Sequence, residues 1–249
     1  MAKTFSDPRR SYRMEPSSAQ GEARFQVVVE ETDLWVVARG DLHREVESLV
    51  RALRGQLKAH IALQPEFLTS LVPVRVRPGA ADIVRRMAEA AEACGVGPMA
   101  AVAGTIAELV ARAFVDLSPD ILVENGGDCF LCSTRERVVG LLPSPEAGVT
   151  VGLRLSPEDF PLSLCASSGR IGHSLSFGRG DIVVVRSPSG ALADAAATAL
   201  SNRLKSSRDL EQVVEAAKGL EAAGVQGVFA QCGDKLAVWG RMELAALGG

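Results

Sequence analysis

Histidine, aromatic residues and cysteine are all scarce in this chain, and each shortage narrows what it can do. Three histidines stand among 249 residues, so any imidazole chemistry must fall on His43, His60 or His173. Eight Phe, two Trp and one Tyr are too few for the interleaved basic and aromatic platform on which single-stranded nucleic acid stacks. Five cysteines spread over this length do not make a disulfide framework. A formal net charge of -3 leaves no excess of basic residues for a nucleic-acid surface. The uncharged run from Cys94 to Ala107 contains Pro98 and falls short of the roughly 18 apolar residues that a membrane span needs. The opening Met1-Ala-Lys-Thr-Phe-Ser-Asp-Pro-Arg-Arg lacks the apolar core of a secretory signal. These absences predict a cytoplasmic protein with reduced thiols, bound to neither nucleic acid nor membrane. What is present is 47% hydrophobic residues, which excludes disorder and suffices for one sizeable core.

Residues 1–23 are polar, mixed in charge and rich in Ser, Pro and Arg, and read as a flexible tail; residues 24–249 read as a single domain. Phe25 to Glu30 and Leu34 to Arg39 are β-branched runs around a polar turn, the pattern of a hairpin. Val46, Leu49, Val50, Leu53, Leu57 and Ile61 recur at the spacing of one helix face, with Asp41 available as cap and Pro65 as stop. Leu71 to Arg77 alternates like an edge strand that tolerates Pro73. Helices are predicted over 81–94 and 98–117, then strands over 121–123, 129–132, 138–142, 149–155, 162–166 and 181–186. Two further helices, 191–204 and 210–223, precede a final hairpin, 225–231 with 235–240, that turns on Gly233-Asp234. Strands mostly adjacent in sequence, with helices interposed in groups, predict an α+β fold.

Several segments carry candidate chemistry. Gly95-Val-Gly97-Pro-Met-Ala100 fits the Ala-ended dinucleotide-binding pattern, but a helix leads into it where a strand is required, so a close-packed turn between helices is the competing reading. Cys129-Phe-Leu-Cys132 lies on a predicted strand, where residues three apart face opposite sides and cannot share a metal or a disulfide. Glu124-Asn125-Gly126-Gly127-Asp128 follows an apolar strand. It is either a polar β-turn or a place where glycines admit a ligand to the backbone, flanked by an amide and a carboxylate. In Ala191-Leu-Ala-Asp194-Ala-Ala-Ala-Thr198, a carboxylate and a hydroxyl four residues apart share one face of an apolar helix. A carboxylate among alanines requires a cation or hydrogen-bond donors, and Mg²⁺ suits such an oxygen pair; stabilisation by the helix dipole is the alternative. Ser167-Ser168-Gly169-Arg170 offers hydroxyls, N–H groups and a phosphate-binding guanidinium, with His173 beyond it. A solvated loop explains that segment equally well. His43 and His60 read as exposed helix positions.

In order along the chain, Asn125-Gly126-Gly127-Asp128, Ala166-Ser167-Ser168-Gly169, His173 and Ala193-Asp194-Ala-Ala-Ala-Thr198-Ala199 resemble the motifs of the ApbE superfamily, FAD- and Mg²⁺-dependent protein FMN transferases. The run Gly97-Pro-Met-Ala-Ala-Val-Ala-Gly104-Thr-Ile-Ala-Glu108 is closer still to an ApbE-related family of bacteria and archaea. The resemblance implies an ApbE-like α+β fold of mostly antiparallel sheet with helices packed on it. It implies Mg²⁺ on Asp194 and Thr198, and FAD or another nucleotide on Asn125, Gly126, Gly127, Asp128, Ser167, Ser168, Gly169 and Arg170. His173 is the one histidine placed as acid or base. The implied partners are a small-molecule nucleotide, an acceptor protein and other copies of the chain. Two departures stand out: the superfamily's Lys-Gly-x-x-x-Asp falls on Ala103, Gly104 and Glu108, and its Asp-Pro-x-Thr-Gly has no counterpart, since Phe177-Gly-Arg-Gly-Asp181 occupies that place. A non-catalytic binding or assembly protein on the same fold is therefore the alternative to a transferase or pyrophosphatase.

Overall fold

A computed structural model describes residues 21–141, 150–168 and 182–247. The β-branched runs at the start form β1 (Ala23–Val29) and β2 (Thr32–Ala38), paired antiparallel from Ala23 opposite Ala38 to Val29 opposite Thr32. Then come α1 (His43–Leu63), a single turn α2 (Glu66–Thr69), α3 (Asp82–Cys94), a 3-10 turn Pro98–Ala101 and α4 (Val102–Phe114). Strands β3 (Ile121–Asn125), β4 (Asp128–Cys132), β5 (Arg137–Leu141), β6 (Thr150–Leu155), β7 (Leu162–Ser167) and β8 (Ile182–Ser187) follow. The chain closes with α5 (Gly190–Ser201), α6 (Leu210–Lys218), β9 (Gly227–Cys232), β10 (Lys235–Gly240) and β11 (Leu244–Leu247).

Eight strands make one antiparallel sheet in the order β1-β2-β3-β4-β7-β8-β9-β10, and β11-β6-β5 make a second, smaller one. Among the described residues the α-helices enter as two insertions, between β2 and β3 and between β8 and β9, strands that are themselves neighbours. That is the predicted α+β arrangement: a strand meander whose helices are grouped. The period of two assigns the faces. Val123, Phe130 and Cys132 pack with the helices, whereas Leu131, Leu164, Val184 and Phe229 pack with Leu153 and Leu155 of the small sheet. Cys129 and Cys132 accordingly join different cores, and no disulfide links them.

Helix α1 buries Val46, Val50, Leu53 and Leu57, the face read from its spacing, each contributing roughly 1.5–3 kcal/mol. Helix α5 has no polar stripe: eleven of its twelve residues are buried, because it lies among α3, α4, α6 and the sheet. Two expectations fail, and one strand goes unforeseen. Residues 71–77 form no strand: the chain bends at Leu71 and Val72, Pro73 lacks an N–H, and the Arg75 carbonyl accepts from Gln64 Nε2 at 2.9 Å instead of from a strand. His43 and His60 are half-buried, each edge-on to a phenylalanine, Phe25 and Phe67. Strand β11 was not legible as a strand. Among the described residues no single helix is long and apolar enough to cross a membrane.

Candidate functional site

The Asn125 to Asp128 segment is a two-residue hairpin turn between β3 and β4, with Gly126 at φ 70° and Gly127 at φ 109°. Those positive angles demand glycine; a β carbon at either position would meet nothing within 4 Å, so no close approach dictates them. Gly127 N–H donates to Glu124 Oε1 at 2.7 Å, closing the turn. The flanking residues behave otherwise. Asn125 and Asp128 sit opposite each other in the ladder, share the helix-side face and are buried. Asn125 Nδ2 donates to the Ala103 carbonyl of α4 at 3.1 Å, and Asp128 Oδ1 accepts from Ala166 N–H of β7 at 3.2 Å.

Asp194 reaches the same region from α5. Its Oδ2 accepts from Gly104 N–H in the first turn of α4 at 2.9 Å, and the Ala103 N–H also favours its charged form. Burial, then the nearby Asp128 carboxylate, outweigh these donors and push Asp194 well above the usual carboxylate range. Burial likewise raises Asp128 to about 7, against bonding from the Cys165 thiol and Ala166 N–H and with added repulsion from Glu124. Cys165, buried beneath both acids, has its thiol pushed up by burial and then by their charges; its Sγ lies 3.3 Å from Ser163 Oγ and donates to the Gly190 carbonyl at 3.8 Å. It is a protonated packing group, and no nucleophile. Neither Asp128 nor Asp194 forms an ion pair with a Lys, Arg or His among the described residues.

Thr198, one turn beyond Asp194, is half-buried. Ser167 ends β7 opposite Val183, is buried, and its Oγ has no partner among the described residues; Ser168 beside it is half-buried. The predicted Gly169, Arg170 and His173 lie outside the described residues.

The structure decides against a dinucleotide turn at Gly95. Gly95 is the left-handed cap of α3 at φ 69°, its N–H bonded to the Ala91 carbonyl. Gly97 is there for contact: a β carbon would stand 1.8 Å from the Ser70 carbonyl oxygen. Nor is either neighbouring helix start open to a phosphate. Asp194 occupies the first turn of α4, and Glu108 Oε2 accepts from Gly190 N–H, the first residue of α5, at 2.7 Å. Glu108, buried, also holds Arg112 Nε at 2.7 Å and Arg86 Nη1 at 3.2 Å. Sequence reading named Gly104 and Glu108 only as the counterpart of the superfamily's Lys-Gly-x-x-x-Asp and missed their contact with α5, although a signal was present: both small-residue helices carry Gly-x-x-x-acid, Gly104 with Glu108 and Gly190 with Asp194.

The family described as AbpE bacteria matches residues 16–243 of the chain. A UPF0280 protein of Methanopyrus kandleri is 44% identical over 195 residues, 77% of this chain and 78% of the relative. Another from Methanocella arvoryzae is 38% identical over 88% of this chain and 89% of its own length. Among solved structures, the flavin transferase ApbE from Vibrio cholerae shares the fold with TM-score 0.53 at 12% identity, covering 88% of this chain and 96% of that one. The ApbE protein of Thermotoga maritima does so with TM-score 0.54, 12% identity and the same coverages. The antiparallel sheet with its two helix insertions, the inward-facing Asn125, Asp128 and Asp194, and the match across nearly the whole chain agree: the protein belongs to the AbpE bacteria family, a group of ApbE-related proteins.

Proposed function

We propose that the chain is an ApbE-type nucleotide-binding protein that holds Mg²⁺ on Asp194 and Thr198 and takes the pyrophosphate of FAD, or of another nucleotide, against that ion. The observation that carries this reading is the buried pair Asp128 and Asp194, brought together from different elements and left without a described cation. Two desolvated carboxylates side by side call for protons or a metal. The donor set fits a hard ion: carboxylate oxygens, with the Thr198 hydroxyl one turn beyond Asp194 on α5 and the Ser167 hydroxyl at the end of β7. Among the described residues no group of three or more His, Cys, Asp or Glu could hold a metal. Mg²⁺ suits such a sparse set, since one or two carboxylates suffice when water and phosphates fill the remaining positions.

When bound, the ion would neutralise the pyrophosphate and polarise its phosphoryl group. The chain's own residues do the rest. Gly126 and Gly127 leave open backbone at the turn, Ser167 supplies an unbonded hydroxyl, and Asn125 fixes the turn against α4. Gly169 and Arg170 complete the proposed nucleotide contacts, and His173 is the proposed proton carrier if turnover occurs. The reaction would then be FMN transfer from FAD to an acceptor protein, a reading in keeping with the shared fold of the Vibrio cholerae flavin transferase, or cleavage of the pyrophosphate. One observation favours binding without turnover. Glu108, where the superfamily resemblance expects its Asp, is spent on Gly190 and two arginines, and Ala103 stands in place of the lysine.

Calorimetry with FAD, FMN and ATP, with and without Mg²⁺, tests the proposal. Binding of at least one nucleotide that strengthens with Mg²⁺ is expected, and Asp194→Asn, which keeps an acceptor for Gly104 N–H, should remove the Mg²⁺ dependence. No binding in either condition would refute the reading. Product analysis after incubation with FAD then separates turnover from binding.

A further inference from the structure

Helices α4 and α5 meet through a local two-fold arrangement. A β carbon on Gly104 would lie 2.3 Å from the Gly190 carbonyl oxygen and 2.9 Å from Asp194 Cβ. One on Gly190 would lie 2.2 Å from the Gly104 carbonyl oxygen and 2.9 Å from Glu108 Cβ. At the same contact each glycine's N–H is taken by the acid four residues along the opposite helix: Gly104 by Asp194 and Gly190 by Glu108. Both acids are buried, and both bonds span more than 80 residues of sequence. The two helix starts are thus tied to each other by a reciprocal pair of carboxylates, with no room for either backbone to slide.

We infer that Glu108 is a positioning residue for Asp194: by holding the first N–H of α5 it sets where that helix begins, and hence where its Asp194 carboxylate stands one turn later. Among the described hydrogen bonds, Glu108 reaches α5 at Gly190 alone, so its effect on Asp194 is transmitted through the helix. Arg86 and Arg112 in turn hold Glu108 Oε1 and leave Oε2 for Gly190. Residues that orient a metal-binding carboxylate in this way typically change metal affinity 10–100-fold. The inference uses the Mg²⁺ reading above for its affinity test only.

The experiment compares the unaltered chain with Glu108→Leu, which fills the space but accepts no hydrogen bond, and Glu108→Gln, which keeps an acceptor oxygen. Mg²⁺ affinity is read by calorimetry, and amide exchange at Gly104 and Gly190 by NMR. In Glu108→Leu, Mg²⁺ should bind 10–100-fold more weakly, and exchange at Gly104, whose N–H bonds Asp194 and not the Glu108 side chain, should quicken about tenfold. Glu108→Gln should stay within about threefold of the unaltered chain in both. In the unaltered chain, saturating Mg²⁺ should slow exchange at Gly190 as well as Gly104, since coupling between sites is reciprocal. This last measurement stands even if Glu108→Leu fails to fold. Equal losses in Glu108→Leu and Glu108→Gln would assign the effect to charge and overturn the inference, as would Mg²⁺ protecting Gly104 alone. Absence of Mg²⁺ binding by the unaltered chain would remove the metal reading; exchange at Gly104 in Glu108→Leu then decides the inference, and an unchanged rate there overturns it.

Discussion

Gly104→Ala should destabilise the protein by about 3 kcal/mol, a large part of the margin of an ordinary domain. Helix propensity alone points the other way, because alanine inside a helix is worth about 1 kcal/mol more than glycine. The sign is decided by the contact. The new methyl would stand 2.3 Å from the Gly190 carbonyl oxygen, a backbone atom that moves only if α4 and α5 separate. Separation stretches both reciprocal bonds, from Gly104 N–H to Asp194 and from Gly190 N–H to Glu108, and leaves two buried carboxylates short of donors. Gly190→Ala should cost a similar amount, and the double variant less than the sum, because both substitutions open one interface. Urea denaturation read by circular dichroism measures all three. A gain in stability for Gly104→Ala would show that the helices do not touch there.

The second large effect is on the pH dependence of stability. Asp128 is raised to about 7 in the folded chain, while an unfolded aspartate titrates near 3.9. A group whose pKa rises on folding contributes stability that is complete below its unfolded pKa and is lost as pH climbs through the folded one. Between about pH 4 and 7 the metal-free protein should therefore lose stability at this position, by up to about 4 kcal/mol from a three-unit difference at 1.36 kcal/mol per unit. Asp194 acts in the same direction. Asp120 opposes it at the acid end. Burial disfavours its charge, but Thr134 N–H, Arg39 and Ser133 outweigh burial and hold it well below the usual range, so that contribution is present above about pH 4 and lost on acidification.

Asp128→Asn removes the titration while keeping an acceptor for Ala166 N–H. It should be more stable than the unaltered chain at pH 8 by about 2–4 kcal/mol and within about 1 kcal/mol of it at pH 5. Guanidinium titrations at the two pH values make the comparison, and an Asn variant weaker than the unaltered chain at pH 8 would contradict the buried-acid description. Added Mg²⁺ should stabilise the unaltered chain more at pH 8 than at pH 5, because a metal competes with the protons on the same oxygens.

Much of this was readable residue by residue. The face of α1 from Val46 to Leu57, the hairpin of β1 and β2, and the strands around the Asn125 to Asp128 turn follow from periodicity and turn chemistry that act over a few neighbours. The opposite faces of Cys129 and Cys132 followed from the same period of two. Strand β11 and the unpaired stretch from residue 71 did not, because pairing depends on whether a partner edge is free, and β6 is far from Leu244 in sequence.

The sequence by itself determined most of the element order, the α+β class and the ordered set of motifs that marks the family. All of these rest on local preferences or on residue identity in order along the chain. Only the tertiary structure decided what the motifs do. It made Gly126 and Gly127 a tight hairpin turn while aiming Asn125 and Asp128 inward, turned the Gly95 to Ala100 segment into a helix cap and a packing contact, and locked Gly104 with Glu108 against Gly190 with Asp194. The last of those outcomes depends on backbones meeting within van der Waals distance across some 80 to 90 residues of chain, and no local pattern encodes which surface a helix will meet.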